Sequence, residues 1–234
     1  MSDQETTVRI DYYSDILCIW AYLAQIKLDE LRSNFGDRVQ LDYRFVSVFG
    51  SVRSKIEDGW VKRGGLAGYA EHVREIVTRF DHVEVHGDVW ARVAPPSSLG
   101  VHVLLKAAAL LVDDDVVTPA GADSERPPLE QLAWDLRLAF FRDARDIAQL
   151  DVQFDVARSV GFPPDALRAR IEDGRGLAAL HEDHGEAARQ SVTGSPTFLL
   201  NENRQRLYGN VGYRILEANV QELLRDNKDR ASWC

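Results

Sequence analysis

Hydrophobic and polar positions change rhythm twice along this chain, dividing it into three stretches. The first opens with VRIDYYSD (8–15), whose branched and aromatic side chains predict a strand. Next comes CIWAYLAQIKLDELR (18–32), where Ile19, Tyr22, Leu23, Ile26 and Leu31 recur at helical intervals. VQLDYRFVSVF (39–49) reads as a second strand, and the intervening SNFGDR supplies the helix stop. A strand–helix–strand unit of this length predicts a parallel pair with a right-handed crossover.

From about residue 50 to 188 the spacing turns helical: GYAEHVREIVTRF, SLGVHVLLKAAALLV, LEQLAWDLRLAFFRDA, DVQFDVARSVGF, DALRARIED and GLAALHEDHGEAARQ. The pairs Pro95-Pro96, Pro127-Pro128 and Pro163-Pro164 fit just before or at helix starts, and DDDVVTPAGADSERPP (113–128) reads as a mobile loop. Strand signals return near residue 191, with PTFLLN, a turn at ENRQ and RLYGN forming a hairpin before the helix YRILEANVQELLRD. Neither end covers a sheet alone. The expectation is an α/β fold in which residues 1–54 and 190–234 combine into one sheet-bearing domain, with 55–189 as an all-helical insertion.

Composition narrows the function. A chain of 234 residues buries one sizeable core or two small ones. Its formal charge of -9 leaves no basic excess to displace counterions, which argues against nucleic acid. Arg53, Lys55, Lys62 and Arg63 form a small basic cluster suited at most to a small anionic ligand. No apolar run is long enough for a membrane span, and the acidic, polar start is unlike a signal peptide. Two cysteines do not make a disulfide framework, so the chain reads as cytoplasmic.

Cys18 carries the sharpest chemical expectation. At the first turn of a helix, unpaired N–H groups favour an anion, and a thiolate is one. Such positions lower a cysteine from about 8.5 to roughly 3.5–7.5 and make it reactive. The competing expectation is an inert, buried small hydrophobe. Other groups point to no site. His181 with His184, and His82 with His86, lack the further ligands a metal needs and read as solvated helix-face residues. The TGSPT stretch lacks the strand–serine–helix elbow of a hydrolase, while Trp134, Phe140, Phe141 and Phe154 suit the core of the helical block.

A cysteine opening the first helix, SVTGSPTFLL opening the last hairpin, and the order of elements together resemble the DsbA family of the thioredoxin superfamily. Within it the chain looks most like the branch of kappa-class glutathione transferases and 2-hydroxychromene-2-carboxylate isomerases, whose helical region LRLAFFRDARDIAQLDVQFDVARSVGF is similar to. The resemblance spans nearly the whole chain and implies a thioredoxin-like fold with a helical insertion. It implies that Pro196 is cis and faces Cys18, and that Ser195 offers backbone hydrogen bonds to a cysteinyl ligand. Trp20, two residues after the cysteine, reads as packing beside the site, with a ring able to flank a substrate.

The family's dithiol would be Cys-x-x-Cys. Here it is Cys18-Ile19-Trp20-Ala21, so a mixed disulfide must be resolved by a second thiol. That implies a small thiol or disulfide substrate, with glutathione as co-substrate and no tightly bound cofactor. Where relatives carry an acidic–basic GSDR stretch for the γ-glutamyl end, this chain has YGNVGYR, leaving Asn210 and the N–H groups of the last helix to take a carboxylate. Relatives with serine at the Cys18 position imply a different role, a glutathione-dependent isomerase or transferase. A third reading is a non-enzymatic scaffold that binds extended peptides at the Pro196 loop. Helical relatives often pair, which makes a homodimer through Trp60, Trp90 or Trp134 an expectation. Cys234 reads as an incidental exposed thiol.

Overall fold

The structure, a computed structural model, describes residues 7–117 and 126–225. Strand β1 (Val8–Ser14) runs parallel to β2 (Val39–Phe45), in register from Val8↔Val39 to Ser14↔Phe45. The crossover between them is α1 (Ile19–Phe35), which stops at Gly36 with φ 54, a left-handed value that glycine adopts without strain. β3 (Thr197–Leu200) and β4 (Gln205–Tyr208) form the expected antiparallel hairpin. β3 also lies antiparallel to β1, pairing Tyr12 with Phe198, so the sheet order is β2-β1-β3-β4. The two ends of the chain do combine into one sheet. β1 sits inside it with both faces covered, as Tyr12 and Tyr13 point to opposite sides and both are buried.

Helices α2 (Gly65–Val77), α3 (Leu99–Asp113), α4 (Pro128–Phe141), α5 (Leu150–Ser159), α6 (Pro164–Glu172) and α7 (Arg175–Arg189) fill the middle of the chain, and α8 (Tyr213–Leu224) ends the described residues. Pro128 and Pro164 open α4 and α6, where a missing N–H costs nothing. Pro95 and Pro96 instead lie in an irregular segment ahead of α3, where the Pro96 carbonyl accepts from the Val52 N–H at 3.0 Å. Of the loop expected at 113–128, residues 118–125 lie outside the described ones; so does Cys234.

One buried apolar cluster runs from Ile10 and Tyr12 of the sheet through α1 to Leu104 and Leu105 of α3 and Phe140 and Phe141 of α4. Tyr22 of α1 stacks on Phe141 at 4.8 Å and on the half-buried Trp134 at 5.1 Å. Each fully buried side chain of this size contributes roughly 1.5–3 kcal/mol. Trp90 also belongs to this core, between Phe49 and Phe140, with no exposed surface. It therefore cannot face a partner subunit, which corrects the expectation for that residue.

A buried carboxylate ties the sheet edge to the helices. Asp183 of α7 accepts from Arg44 at 3.1 Å, from Lys106 at 3.1 Å and from the Phe45 N–H at 3.0 Å. The histidine expectation also needs correction. His82 and His86 lie on irregular chain between α2 and α3, against the Leu23 carbonyl (3.2 Å) and the Asp88 N–H (3.1 Å) respectively. Among the described residues no group of three His, Cys, Asp or Glu is placed to hold a metal ion.

Candidate active site around Cys18

β1 ends at Ser14, and the chain turns through Asp15, Ile16 and Leu17 into α1. Cys18 is the N-cap of that helix: its N–H donates to the Asp15 carbonyl at 3.1 Å, and its own carbonyl accepts from Ala21 and Tyr22, both at 3.1 Å. The sulfur thus stands at the first turn, where the sequence predicts it. Opposite is the loop before β3, where the Ser195–Pro196 bond is cis. The Cys18 thiol donates to the Ser195 carbonyl at 3.2 Å. Cys18 and the Ser195–Pro196 pair, 177 residues apart in sequence, are thereby brought together.

The Ser195 loop is held from both sides. Gly209 N–H donates to the Pro196 carbonyl at 2.8 Å, and the Thr197 hydroxyl donates to the Gly194 carbonyl at 2.9 Å. The Tyr208 ring lies directly on Gly194, where a Cβ would come within 2.4 Å of its Cε2. Only a glycine fits under the ring in this arrangement. Tyr208 remains 66% exposed, an aromatic lip next to the loop.

Below Cys18 lies a set of buried polar groups that sequence reading does not identify. Asp15 has no exposed surface. Its Oδ1 accepts from the Leu17 N–H at 2.9 Å, and its Oδ2 accepts from the Phe49 N–H at 2.8 Å and the Ser98 hydroxyl at 2.9 Å. The Asp15 N–H donates to Ser195 Oγ at 2.8 Å. His102 of α3 accepts the Ile16 N–H on Nε2 at 3.1 Å, which places its ring proton on Nδ1. That same Nε2 is 3.8 Å from Asp15 Oδ1. Arg137 of α4, also fully buried, donates to Ser14 Oγ at 3.0 Å.

Burial shapes the acid–base character of these groups. It pushes Asp15 up to about 6, against the lowering by the Phe49 and Leu17 N–H groups, the Ser98 hydroxyl and the Arg137 charge. It pushes His102 down to about 3, with the charges of His184 and Arg137 acting in the same direction. Cys18, only 5% exposed, is pushed up by burial and further by the Asp15 charge, while the Ser195 side chain and the Ala21 and Trp20 N–H groups pull it down. The expected lowering at the helix start is therefore outweighed in the resting site. Desolvation of the anion wins.

Trp20 is half-buried beside the cysteine turn, edge-on to Phe80 at 6.4 Å. Tyr69 of α2 packs against Phe49 (6.1 Å), Trp60 (5.0 Å) and Trp90 (5.5 Å). Burial raises the Tyr69 hydroxyl well above its ordinary value, and the charges of Cys18 and Asp15 raise it further, which marks it as a neighbour of the sulfur. Asn210 is not at the cysteine. It accepts a hydrogen bond from Lys27 of α1, which also donates to the Val211 carbonyl at 2.7 Å. Lys27 lies about 13 Å beyond Cys18 along the helix axis. This half-buried ammonium brings a positive charge to the start of α8. Of the basic cluster, Arg53, Lys55 and Lys62 are exposed and Arg63 caps the Trp60 ring at 5.0 Å.

A mixed four-stranded sheet, a cysteine at the first helix start and a cis-proline loop facing it define a thioredoxin-like protein. The chain belongs to the DSBA-like thioredoxin domain family, whose model matches residues 9–221. No curated protein matches it. Among solved structures it is similar to a probable DsbA oxidoreductase from Streptomyces coelicolor, at 17% identity and a TM-score of 0.71, covering 97% of this chain and 93% of that one. It is similar also to the cytosolic disulfide reductase DsbM from Pseudomonas aeruginosa with GSH (17%, TM-score 0.63, 91% of this chain and 99% of that one). A third relative is 2-hydroxychromene-2-carboxylate isomerase (16%, TM-score 0.61, 96% and 100%). At these identities the likeness establishes the fold.

Proposed function

We propose that the protein is a glutathione-linked thiol oxidoreductase of the cytoplasm in which Cys18 is the single nucleophile. The observation that carries this is the 3.2 Å contact between the Cys18 thiol and the Ser195 carbonyl at the start of α1. A cysteinyl ligand whose backbone N–H takes the Ser195 carbonyl displaces the thiol from it. The sulfur is then left to the Trp20 and Ala21 N–H groups, which favour the thiolate. Trp20 flanks that ligand, and Pro196 keeps the loop against it.

The chemistry follows from the Cys18-Ile19-Trp20-Ala21 turn, which holds one thiol. The Cys18 thiolate attacks the glutathione sulfur of a glutathionylated substrate; a Cys18–glutathione disulfide forms, and the substrate thiolate leaves and takes up a proton. A second glutathione, as its thiolate, attacks the mixed disulfide. Oxidised glutathione leaves, and Cys18 returns as a thiol. Lys27, Asn210 and the N-terminus of α8 suit a carboxylate of the tripeptide, and the lysine side chain leans back toward the start of α1, as helical side chains do. DsbM, a cytosolic disulfide reductase with GSH, has the same fold and supports the reading.

The likeness to the isomerase supports a second reading, in which a bound glutathione thiolate does the chemistry without redox change. Turnover of a glutathionylated peptide by wild type, Cys18→Ser and Cys18→Ala separates them. Loss of thiol release in both variants is the expected result. Thiol release that survives in Cys18→Ser sinks Cys18 as the nucleophile, whereas no thiol release even by wild type, with glutathione binding kept in Cys18→Ser, favours the isomerase type. Peptide binding without turnover, unchanged in Cys18→Ala, leaves only a binding scaffold.

A further inference from the structure

Asp15 connects the buried polar groups under Cys18, and the mechanism above gives it no part. Its carboxylate has no exposed surface, and none of the described lysines or arginines forms an ion pair with it. Neutral donors hold it instead: the Leu17 N–H from the cysteine turn, the Phe49 N–H from the loop after β2, and the Ser98 hydroxyl from the start of α3. A fourth bond, from its own N–H to Ser195 Oγ at 2.8 Å, reaches the loop that faces the sulfur. Four segments meet at one residue.

We propose that Asp15 is a positioning residue for Cys18: it locks the nucleophile's turn to the Ser195 loop, and its charge adds to burial in holding the resting sulfur as the thiol. This rests on the reading of Cys18 as nucleophile. No salt-bridged cation lies on the carboxylate and little water screens it, so its field reaches the sulfur even though the buried Arg137 offsets part of it. Carboxylate and thiolate then disfavour each other, and the pair retains one proton between them. The other titratable groups facing this pair are Tyr12 from β1, Tyr69 from α2, His102 from α3 and Arg137 from α4. Neither tyrosine ionises at neutral pH, since burial raises both. His102 stays neutral down to about 3. Across the neutral and mildly acidic range, Asp15 is the group whose charge changes.

The coupling has a signature that a purely structural residue would not produce. A lone thiol alkylates with a log rate that rises linearly with pH below its own ionisation. Here the line should break near pH 6, where Asp15 titrates. Below the break, the rate should lie about 10-fold above the line extrapolated from higher pH, the size expected for one nearby charge. The experiment measures iodoacetamide alkylation of Cys18 in the full chain carrying Cys234→Ser, with Asp15→Asn and Ser98→Ala introduced separately.

The expected result is a break in the parent, a straight line in Asp15→Asn, and a break moved to higher pH in Ser98→Ala, which loses one bond to the carboxylate. A straight line in the parent, or a break that persists in folded Asp15→Asn, overturns the proposal. If Asp15→Asn does not fold, Ser98→Ala decides, and an unmoved break overturns it. So does a Cys18 that resists alkylation in every folded form. Turnover of a glutathionylated peptide is followed alongside: a break without turnover sinks the proposed function and spares Asp15, and turnover without a break does the reverse.

Discussion

Replacing His102 by glutamine offers a direct check on the buried polar cluster through stability. Glutamine can still accept the Ile16 N–H with its side-chain carbonyl, so the turn before Cys18 keeps its support. What disappears is a titration. In the unfolded chain His102 takes a proton near 6.5, and in the folded protein only near 3. Between these values the unfolded state binds more protons, so folding stability falls as pH drops through that window. By pH 4 the loss amounts to about 3 kcal/mol.

Asp15 acts in the opposite sense. Its folded value near 6 lies above the ordinary 3.8, so the native state binds the extra proton and stability rises as pH falls through that range. Over about pH 6 to 4 this returns about 3 kcal/mol, and in wild type the two contributions nearly cancel. His102→Gln removes one and leaves the other. Urea unfolding of both proteins at pH 7, 5.5 and 4 should show the variant gaining about 3 kcal/mol relative to wild type across the series. Carboxylates elsewhere affect both proteins alike and drop out of the difference. A difference that stays constant with pH would refute the argument, because His102 would then not be held neutral by burial.

Two further outcomes test the frame around the site. Asp183→Ala leaves the Lys106 ammonium and the Phe45 N–H without their buried acceptor, and should cost about 3–5 kcal/mol in chemical unfolding; a loss below about 1 kcal/mol contradicts the clamp. Lys27→Met should raise the KM for glutathione about 5-fold, the worth of a partly screened charge pair, with Cys18 alkylation unchanged; an unaltered KM removes Lys27 from the ligand site.

Much of the backbone was legible because it follows local rules. Alternation and helical spacing gave the crossover of α1, SNFG gave its stop, and proline pairs gave the starts of α4 and α6. Cys18 was readable as a helix start, and Ser195 and Pro196 through the resemblance. Its raised thiol was not, since helix position is local whereas burial is supplied by residues far along the chain. Asp15, His102 and Lys27 were missed for the same reason: their partners are the Phe49 loop, the Ile16 turn and Asn210. Faint signals existed. His102 is a lone polar side chain on the buried face of a very apolar helix, and Asp15 forms a short-range turn bond to Leu17 just ahead of the cysteine. Asn210 was singled out in sequence, yet only the fold brings the ammonium to it.

The unbroken core bears on how a ligand reaches the sulfur. Since the same buried cluster joins the sheet, α1, α3 and α4, the helical block and the sheet do not swing apart as separate bodies without exposing Tyr22, Phe140 and Phe141 together. Such an opening would approach global unfolding in cost. What can move without breaching that core are side chains at its surface, such as the exposed Tyr208 ring over Gly194. Exposed side chains turn over in picoseconds to nanoseconds, so motion of that kind is far faster than any parting of the sheet from the helices.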